Sequence, residues 1–550
     1  MSETRAKMLA NTRTRSATGF EKILSDIEVR TVYGAQKKKE LKPFFPGQEP
    51  ELAQTYDCTD VLCDAALKKP EVIQQVIDGL WHIKEIRQTL KKSAEQTLSV
   101  VELFDLKSFL LRTSEIRKAL REIHARMPGR YELRDTDALL NRLDPSGERI
   151  DTFYIYDAFS PVLSEFRREK KQLEVEIRKA QKSIASELLA QHGIRMTPKF
   201  ELLVPKADTS LLALVSELDA LEKSDEDYMT IVYTLAKTPE LDAFHLQQET
   251  LEERIEQEED AVCRMLTQEV VLRVQDLYEN CEAIGFLDFD LGKALYATSK
   301  NCVRPDITPD IGLCATGGRN LVVEEVLGAQ GKPYCPVDVD LSVGVTAITG
   351  ANMGGKTISL KMIGQIALLA QYGLYVPCEF ASLGLSNYIH LLVGDGQNVQ
   401  RGLSSFGSEM EELREILDRA QERSLILIDE IASGTNPTEG LALTRSFIRY
   451  FSQKPYITVI TTHFDHATVG EHIVNLQVRG LASADFDRLH RELSYANRRE
   501  RIEIIAKYTD YRLMRVDRID QVPREALNIA SMLGIYPEII DEARRCLTEC

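Results

Sequence analysis

No stretch of this chain approaches the roughly 20 consecutive apolar residues that a membrane-spanning helix needs. The first residues, MSETRAKMLANTRTR, carry charge but lack the apolar centre of a secretory signal. The ten cysteines are scattered without any CxxC pair, so they read as reduced, mostly buried thiols and not as a disulfide or zinc framework. These absences lead to the expectation of a cytoplasmic protein with no membrane partner. Positive charge is also scarce. Lys and Arg number 68 against 85 Asp and Glu, a formal charge of −17 with a pI near 5.2. That balance argues against a broad nucleic-acid-coating surface, although it leaves room for DNA in a narrow basic groove. The first 42 residues run the other way, with Arg13, Arg15, Arg30 and the cluster Lys37-Lys38-Lys39, which reads as a solvated face. Internal repeats and low-complexity segments are missing.

What is present is enough chain for two to four domains, since 550 residues exceed a single core. Residues 1–160 have helical periodicity with short polar breaks and read as a helical core. A turn-rich connection falls at Pro43, Pro46, Gly47 and Pro50. From Phe166, apolar residues recur at Leu173, Ile177, Ala180, Ile184 and Leu188, the seam of a long helix that Gly193 ends. A second such seam runs from Leu241 through Leu251, Ile255, Val262, Leu266 and Val270 toward Ile284. The two are expected to pair antiparallel as a lever within residues 161–304. A small tip (about 194–239) would carry strands at Phe200–Val204 and Tyr228–Leu235. After Pro305 the texture becomes α/β. Short apolar runs at Val343–Ile348, Leu425–Ile428 and Ile457–Thr461 alternate with amphipathic helices, which predicts a parallel sheet covered on both faces over 305–550.

The chemistry is concentrated in that last part. Thr349-Gly-Ala-Asn-Met-Gly-Gly-Lys-Thr357 follows an apolar run and opens an amphipathic segment, so it reads as strand, glycine turn and helix. Gly350 and Gly355 frame a GxxxxGK[ST] loop whose amides and helix N-terminus suit phosphate oxygens. Lys356 would reach the β/γ-phosphates, and the Thr357 hydroxyl would ligate Mg²⁺. Ser424-Leu-Ile-Leu-Ile-Asp429-Glu430 is a buried strand delivering two carboxylates at its end. Asp429 suits Mg²⁺, and Glu430 suits polarising the attacking water. Thr461-Thr-His463 ends another apolar run, placing a histidine where it would sense a γ-phosphate. In Gly402-Leu-Ser-Ser-Phe-Gly-Ser-Glu-Met410, Ser408 with Glu411 predicts a capping box for a helix with Met410, Leu413, Leu417 and Ala420 on its apolar face. In Ser433-Gly-Thr-Asn-Pro-Thr-Glu-Gly440, Asn436 predicts an N-cap with Pro437 as the first helical residue.

TGANMGGKT, LSSFGSEM, LILIDEIASGTNPTEGLAL and TTHFD, in this order and spacing, resemble the MutS family of ATPases. GGRNLVVEEVL (317–327), YGLYVPC (372–378) and the VPREALNIASMLG run beginning at Val522 match as well, so the motif-level resemblance covers about 285–550. It implies a multidomain protein: an α-helical core, long antiparallel lever helices and a C-terminal α/β P-loop (ABC-like) ATPase and dimerisation domain. It also implies that ATP is bound by Gly350, Asn352, Gly354, Gly355, Lys356 and Thr357, and Mg²⁺ by Thr357 and Asp429. Glu430 would be the catalytic carboxylate and His463 the switch. Ser404 would reach the γ-phosphate of the partner subunit, which calls for a homodimer or a heterodimer with a related subunit. Tyr334 lies where the family tends to place an aromatic against adenine.

The departures from the family pattern shape the functional expectation. Ahead of Phe20 there is no module with the Phe-x-Glu wedge of mismatch recognition. The insert between the levers is far shorter than the usual DNA clamp, and its Lys199, Lys206, Lys223 and Lys237 face at least as many acids. GDGQNVQRGLSSF and SGTNPTEG look closer to the non-mismatch branch, yet the sequence ends at Cys550 without that branch's nuclease-type domain. Two readings follow. One is a DNA-associated ATPase acting on non-mismatch or branched DNA in repair or recombination. The other is an ATP-driven subunit that reactivates a cobalamin-dependent lysine or ornithine aminomutase. A coiled-coil ABC-type ATPase is a weaker third, because RGLSSF does not supply an LSGGQ signature.

Overall fold

The computed structural model describes residues 8–123, 127–350, 355–394, 405–432, 435–463, 472–481, 484–495, 497–516 and 526–549. The chain divides into two units. One comprises residues 1–77, 119–131 and 284–550, the other residues 78–118 and 132–283.

The first unit is built on a six-stranded sheet. In spatial order its strands are Asp510–Arg515, Ile473–Gly480, Gly344–Thr349, Ile457–Thr461, Ser424–Asp429 and Tyr388–Leu392. All neighbouring pairs are parallel except Asp510–Arg515, which joins antiparallel at one edge. The apolar runs expected to be strands are strands, within a residue at either end. Successive side chains of a strand point to opposite faces, and both faces here are buried. Leu425 and Leu427 join one apolar cluster with Ile348, Ile389 and Val459. Ile426 and Ile428 join the other with Val345, Leu392 and Ile460.

The helix Gly355–Gln371 lies along the first of these faces, with Leu360, Ile363, Ile366 and Ala367 buried in the same cluster. It stops as the sequence predicts. Gly373 takes φ +68°, its amide bonds Ala370 O at 3.0 Å, and Leu374 N bonds Leu369 O at 2.9 Å. This is the reciprocal pattern of a glycine-terminated helix. A second, four-stranded sheet (Asp306–Thr308, Phe380–Gly384, Leu313–Gly318 and Val337–Leu341) packs its apolar side chains into the same core.

The N-terminal residues belong to this unit through contacts that periodicity does not disclose. The amide of Ile389 bonds Leu9 O at 2.7 Å, and that of Leu391 bonds Thr14 Oγ1 at 3.1 Å, which covers the outer edge of the sheet. Gln365 Nε2 donates to Thr18 O at 2.8 Å. At Gly364, an added Cβ would lie 2.6 Å from Thr18 Cγ2, so the helices approach too closely there for any side chain. Asp288, fully buried, receives the amides of Arg30 and Thr31 and the Thr31 hydroxyl at 2.7–3.0 Å, pinning the start of the helix Val32–Lys39.

In the second unit two long helices, Pro161–His192 and Pro239–Val271, pair antiparallel. Arg167 meets Glu259 and Lys170 meets Glu252, while Leu173 and Ile177 pack with Leu241 and Phe244, so the numbering runs in opposite senses. Gly193, at φ +71°, ends the first helix as expected. The second does not run on to Ile284. It stops at Val271, and a new helix, Val274–Ser299, begins after Leu272 and Arg273. The apolar seam continues across this break, and for that reason periodicity alone read one helix.

The insert holds the two expected strands, as Glu201–Pro205 and Thr230–Leu235. It also holds a third strand, Leu221–Glu226, and the helix Thr209–Ser216. The third strand is LEKSDE, with only Leu221 buried, so it carries no apolar signal.

Lys107 is a buried cation of this unit, 1% exposed. Its ammonium donates to Asp144 Oδ1 at 3.1 Å, Thr152 O at 2.8 Å and Tyr156 Oη at 3.2 Å. Burial pushes the Asp144 carboxyl up, but Lys107 and the Arg149 amide outweigh it and hold it below the ordinary carboxylate value. A carboxyl depressed in the folded state stabilises above its unfolded pKa. That contribution is present at neutral pH and fades as the pH falls from about 4 toward the folded value. Lys107→Met leaves the buried Asp144 with only Arg149 and the Ser146 hydroxyl as partners, and is expected to cost about 3 kcal/mol in urea unfolding at pH 7. The loss should shrink when the same titration is run below about pH 4; an equal loss at both pH values would show that the ion pair is not its source.

Candidate functional site

Parallel strands end on the same side of a sheet, so side chains far apart in sequence converge at their C-terminal edge. Here Asp429 is in register with Thr461, and Thr461 with Ile348. Asp429, Thr461 and the start of the phosphate loop therefore stand side by side on three adjacent strands.

The hydrogen bonds follow from this alignment. Thr357 Oγ1, on the first turn of the helix after the loop, donates to Asp429 Oδ2 at 2.7 Å. Thr461 Oγ1 donates to Asp429 Oδ1 at 2.7 Å and accepts the amide of Glu430 at 3.0 Å. Lys356 is 4% exposed. Its ammonium reaches Gly350 O at 3.0 Å and the His463 ring nitrogens at 3.1 and 3.2 Å, with Glu430 Oε1 at 3.7 Å. His463 Nε2 lies 2.7 Å from Glu430 Oε1. Thus Lys356, Thr357, Asp429, Glu430 and His463 form one cluster, with Gly350 and Gly355 at its rim.

The turn after the carboxylate strand is strained. Glu430 and Ala432 take φ +57° and +60°, values that cost a non-glycine residue of order 1–3 kcal/mol. Hydrogen bonds from their amides hold them there, Glu430 N to Thr461 and Ala432 N to Glu409 Oε1 at 2.5 Å. Burial pushes the Glu409 carboxyl up, against the pull of the Ala432 amide. The left-handed turn carries Glu430 off the strand toward Lys356 and His463.

Three further residues complete the site, and the sequence assigns a role to none of them. Thr461 bridges Asp429 and the Glu430 amide; its signal was its place two residues before His463. Glu409 supports the strained turn from the helix Ser405–Arg419. Tyr511, on the antiparallel edge strand, packs against the start of the phosphate-loop helix, where a Cβ on Gly355 would lie 3.0 Å from its ring. No spacing rule links residues 355 and 511.

Other expectations fare differently. Tyr334 accepts the amide of Asn320 at 3.0 Å on its hydroxyl, and burial pushes that phenol up to about 12. The hydroxyl is thereby engaged at the N-cap of the helix Leu321–Ala329, and not in the Lys356 cluster. The capping box is corrected. The helix Ser405–Arg419 begins before Ser408, whose buried hydroxyl has no hydrogen-bond partner. Its apolar face is as expected, with Met410, Leu413 and Leu417 in the core. Asn436 is an N-cap, its side chain accepting Thr438 N at 2.9 Å, with Pro437 as the first helical residue. Asn352, Gly354 and Ser404 lie outside the described residues.

The donor set suits the groups that the motif implies. Mg²⁺ takes oxygen ligands, and a hydroxyl and a carboxylate 2.7 Å apart are such a pair. A buried ammonium beside a glycine loop and a helix N-terminus suits phosphate.

Residues 346–549 match the family model for MutS domain V. A protein named DNA mismatch repair protein MutS, from Salinibacter ruber, is 36% identical over 233 residues, covering 41% of this chain and 26% of that protein. Two proteins named Endonuclease MutS2 match over more of the chain than that. That from Halothermothrix orenii is 26% identical over 406 residues, 70% of this chain and 49% of that protein. That from Acetivibrio thermocellus is 27% identical over 468 residues, 80% and 54% respectively. The chain spans from about a quarter to about half the length of these relatives. The phosphate-loop strand, the carboxylate strand and the histidine strand are adjacent inside the matched segment, and residues 346–549 carry the MutS domain V of that family model.

Proposed function

We propose that this protein is a Mg²⁺-dependent ATPase that works as a dimer and couples nucleotide binding and hydrolysis to movement of its long paired helices on DNA. The observation that carries the ATPase reading is the Lys356–Glu430–His463 cluster, with Asp429 held between Thr357 and Thr461. In this reading Lys356 and the loop bearing Gly350, Asn352, Gly354 and Gly355 bind the ATP phosphates. Thr357 and Asp429 hold Mg²⁺, which when bound offsets phosphate charge. Glu430 orients and polarises the attacking water, and His463, paired with it, responds to the γ-phosphate. Ser404 is assigned to the partner subunit's nucleotide. Tyr334 remains a candidate contact to the base through its ring, its hydroxyl being taken by Asn320. The helical core (1–160), lever region (161–304) and ATPase domain (305–550) are the working division.

DNA as the partner is supported by the names of the relatives, DNA mismatch repair protein and endonuclease. A second reading, a protein client, has one observation in its favour. The tip strands Leu221–Glu226 and Thr230–Leu235 are joined through Tyr228 and Met229, 91% and 69% exposed, in a run rich in acids (Glu222, Asp225, Glu226, Asp227). Acids beside exposed apolar side chains suit a protein surface better than a phosphate backbone.

Lys356→Ala is expected to abolish binding of a fluorescent ATP analogue. Glu430→Gln should bind it normally while turnover drops by about 10²-fold or more; normal turnover in Glu430→Gln would remove that carboxylate from the mechanism. Thr461→Val takes a hydrogen bond from Asp429 and another from the Glu430 amide. It should raise the Mg²⁺ concentration for half-maximal activity by about 10-fold, whereas an unchanged Mg²⁺ titration would confine Thr461 to the fold. For the partner, ATPase activity is to be followed with duplex, branched and single-stranded DNA over a salt series. Stimulation that fades with salt is expected, and its absence at low ionic strength would sink the DNA reading.

A further inference from the structure

The helix Gly355–Gln371 carries the phosphate-loop lysine at one end. Its 17 residues rise about 25 Å to the other end. There a cavity of about 390 Å³ opens beside Tyr372. One wall is the segment around Lys37–Phe44, and another is the face of the helix Val274–Ser299 that carries Phe286, Asp290 and Lys293. The first wall is fastened to the phosphate-loop helix. Phe44 N donates to Gln371 O at 2.7 Å, and Gln371 Nε2 donates to Phe44 O at 2.9 Å.

The lining is cationic in an acidic protein. Lys37, Lys42, Arg130 and Lys293 face two carboxylates, Glu40 and Asp290. Asp290 is already shared, with Arg130 at 2.5 Å, Lys293 at 2.6 Å and the Tyr131 hydroxyl at 2.8 Å. Its single charge offsets one of these two cations. Lys37 stands 4.3 Å from the Phe286 ring centroid and Arg130 5.7 Å from the same ring, so the electron-rich face keeps two like charges near each other. Arg130 Nε is buried without a hydrogen-bond partner, a donor that an anionic oxygen would satisfy. Phe44 and Phe286 are half-buried and offer flat apolar surface beside these charges. A second cavity of about 740 Å³ continues the space and shares Phe44, Thr55 and Arg130.

Clustered cations with an unsatisfied guanidinium donor suit a phosphomonoester, the flat rings suit a planar base, and the volume lies in the range of small-ligand sites. We propose that this cavity binds a mononucleotide, either free or as the 5′-phosphorylated end of a nucleic-acid strand. The proposal stands apart from the ATPase reading, because it uses none of the residues of that site.

The test uses the full chain carrying Lys356→Ala, which silences the ATPase site. AMP, inorganic phosphate, and short thymidine oligonucleotides with a 5′-phosphate or a 5′-hydroxyl are titrated by calorimetry. AMP or the 5′-phosphorylated oligonucleotide is expected to bind, with inorganic phosphate competing. Lys42→Glu, on an exposed side chain, and Lys37→Glu should each weaken binding by about tenfold. Phe286→Leu, which keeps apolar volume, should weaken AMP more than inorganic phosphate. Tighter binding of AMP assigns the free nucleotide; tighter binding of the 5′-phosphorylated over the 5′-hydroxyl oligonucleotide assigns the strand end. Failure of both to bind at millimolar concentration overturns the proposal. So does affinity unchanged in Lys37→Glu and Lys42→Glu when both melt like the parent. Loss of ATP binding in Lys356→Ala with AMP binding intact separates this site from the first.

Discussion

The Asp429 carboxylate is the point on which the site depends. One oxygen accepts the hydroxyl of Thr357, on the phosphate-loop helix, and the other that of Thr461, on the neighbouring strand. A carboxylate accepting two hydroxyls fixes three elements against each other at once. Thr461 in turn takes the amide of Glu430, so the same hydroxyl sets both Asp429 and the turn that follows it. Moving any of the three would break hydrogen bonds in a partly buried setting, where an unmade bond costs about 1–3 kcal/mol.

That constraint explains how the molecule tolerates strain next door. Two non-glycine residues in the left-handed region, Glu430 and Ala432, persist because Thr461 and Glu409 bond their amides. The strain redirects a chain that would otherwise continue straight off the strand, and it brings Glu430 to Lys356 and His463. The rigid body behind the site is the doubly covered sheet. Its outer edge is closed by the N-terminal segment, and the phosphate-loop helix is locked to that segment through Gln365 and the close approach at Gly364. Gln371 and Phe44 add a second lock at the helix's far end, beside the cationic cavity. One helix thus runs between a site that suits nucleotide phosphates and a cavity that suits another phosphorylated ligand.

Much of this was legible in the chain. The strands at 344–349, 424–429 and 457–461 are continuous apolar runs because both faces of the sheet are buried. The ends at Gly193 and Gly373 and the cap at Asn436 rest on local conformational chemistry that works within a few residues. Where the signal was not local, it misled or was silent. The seam through Val270 crosses a break at Leu272–Arg273 without losing its apolar pattern. The polar strand Leu221–Glu226 exists because Thr230–Leu235 offers it a ladder, not because of its own side chains. Ser408 looked like a cap because Glu411 follows it three residues on, yet the helix had already begun.

The sequence by itself determined the chemistry on offer: a glycine loop with lysine and threonine, a strand ending in two carboxylates, and a strand followed by histidine. These are encoded by adjacent residues, and so they can be read in a line. Only the tertiary structure decided which side chains meet. Parallel pairing aligned Asp429 with Thr461, a long-range fold brought Tyr511 to Gly355, and helix packing gathered Lys37, Arg130, Phe286 and Lys293 around one cavity. The physical reason is distance along the chain. Local propensity acts over a few residues, whereas these meetings are set by sheet register and helix packing, to which all the intervening chain contributes.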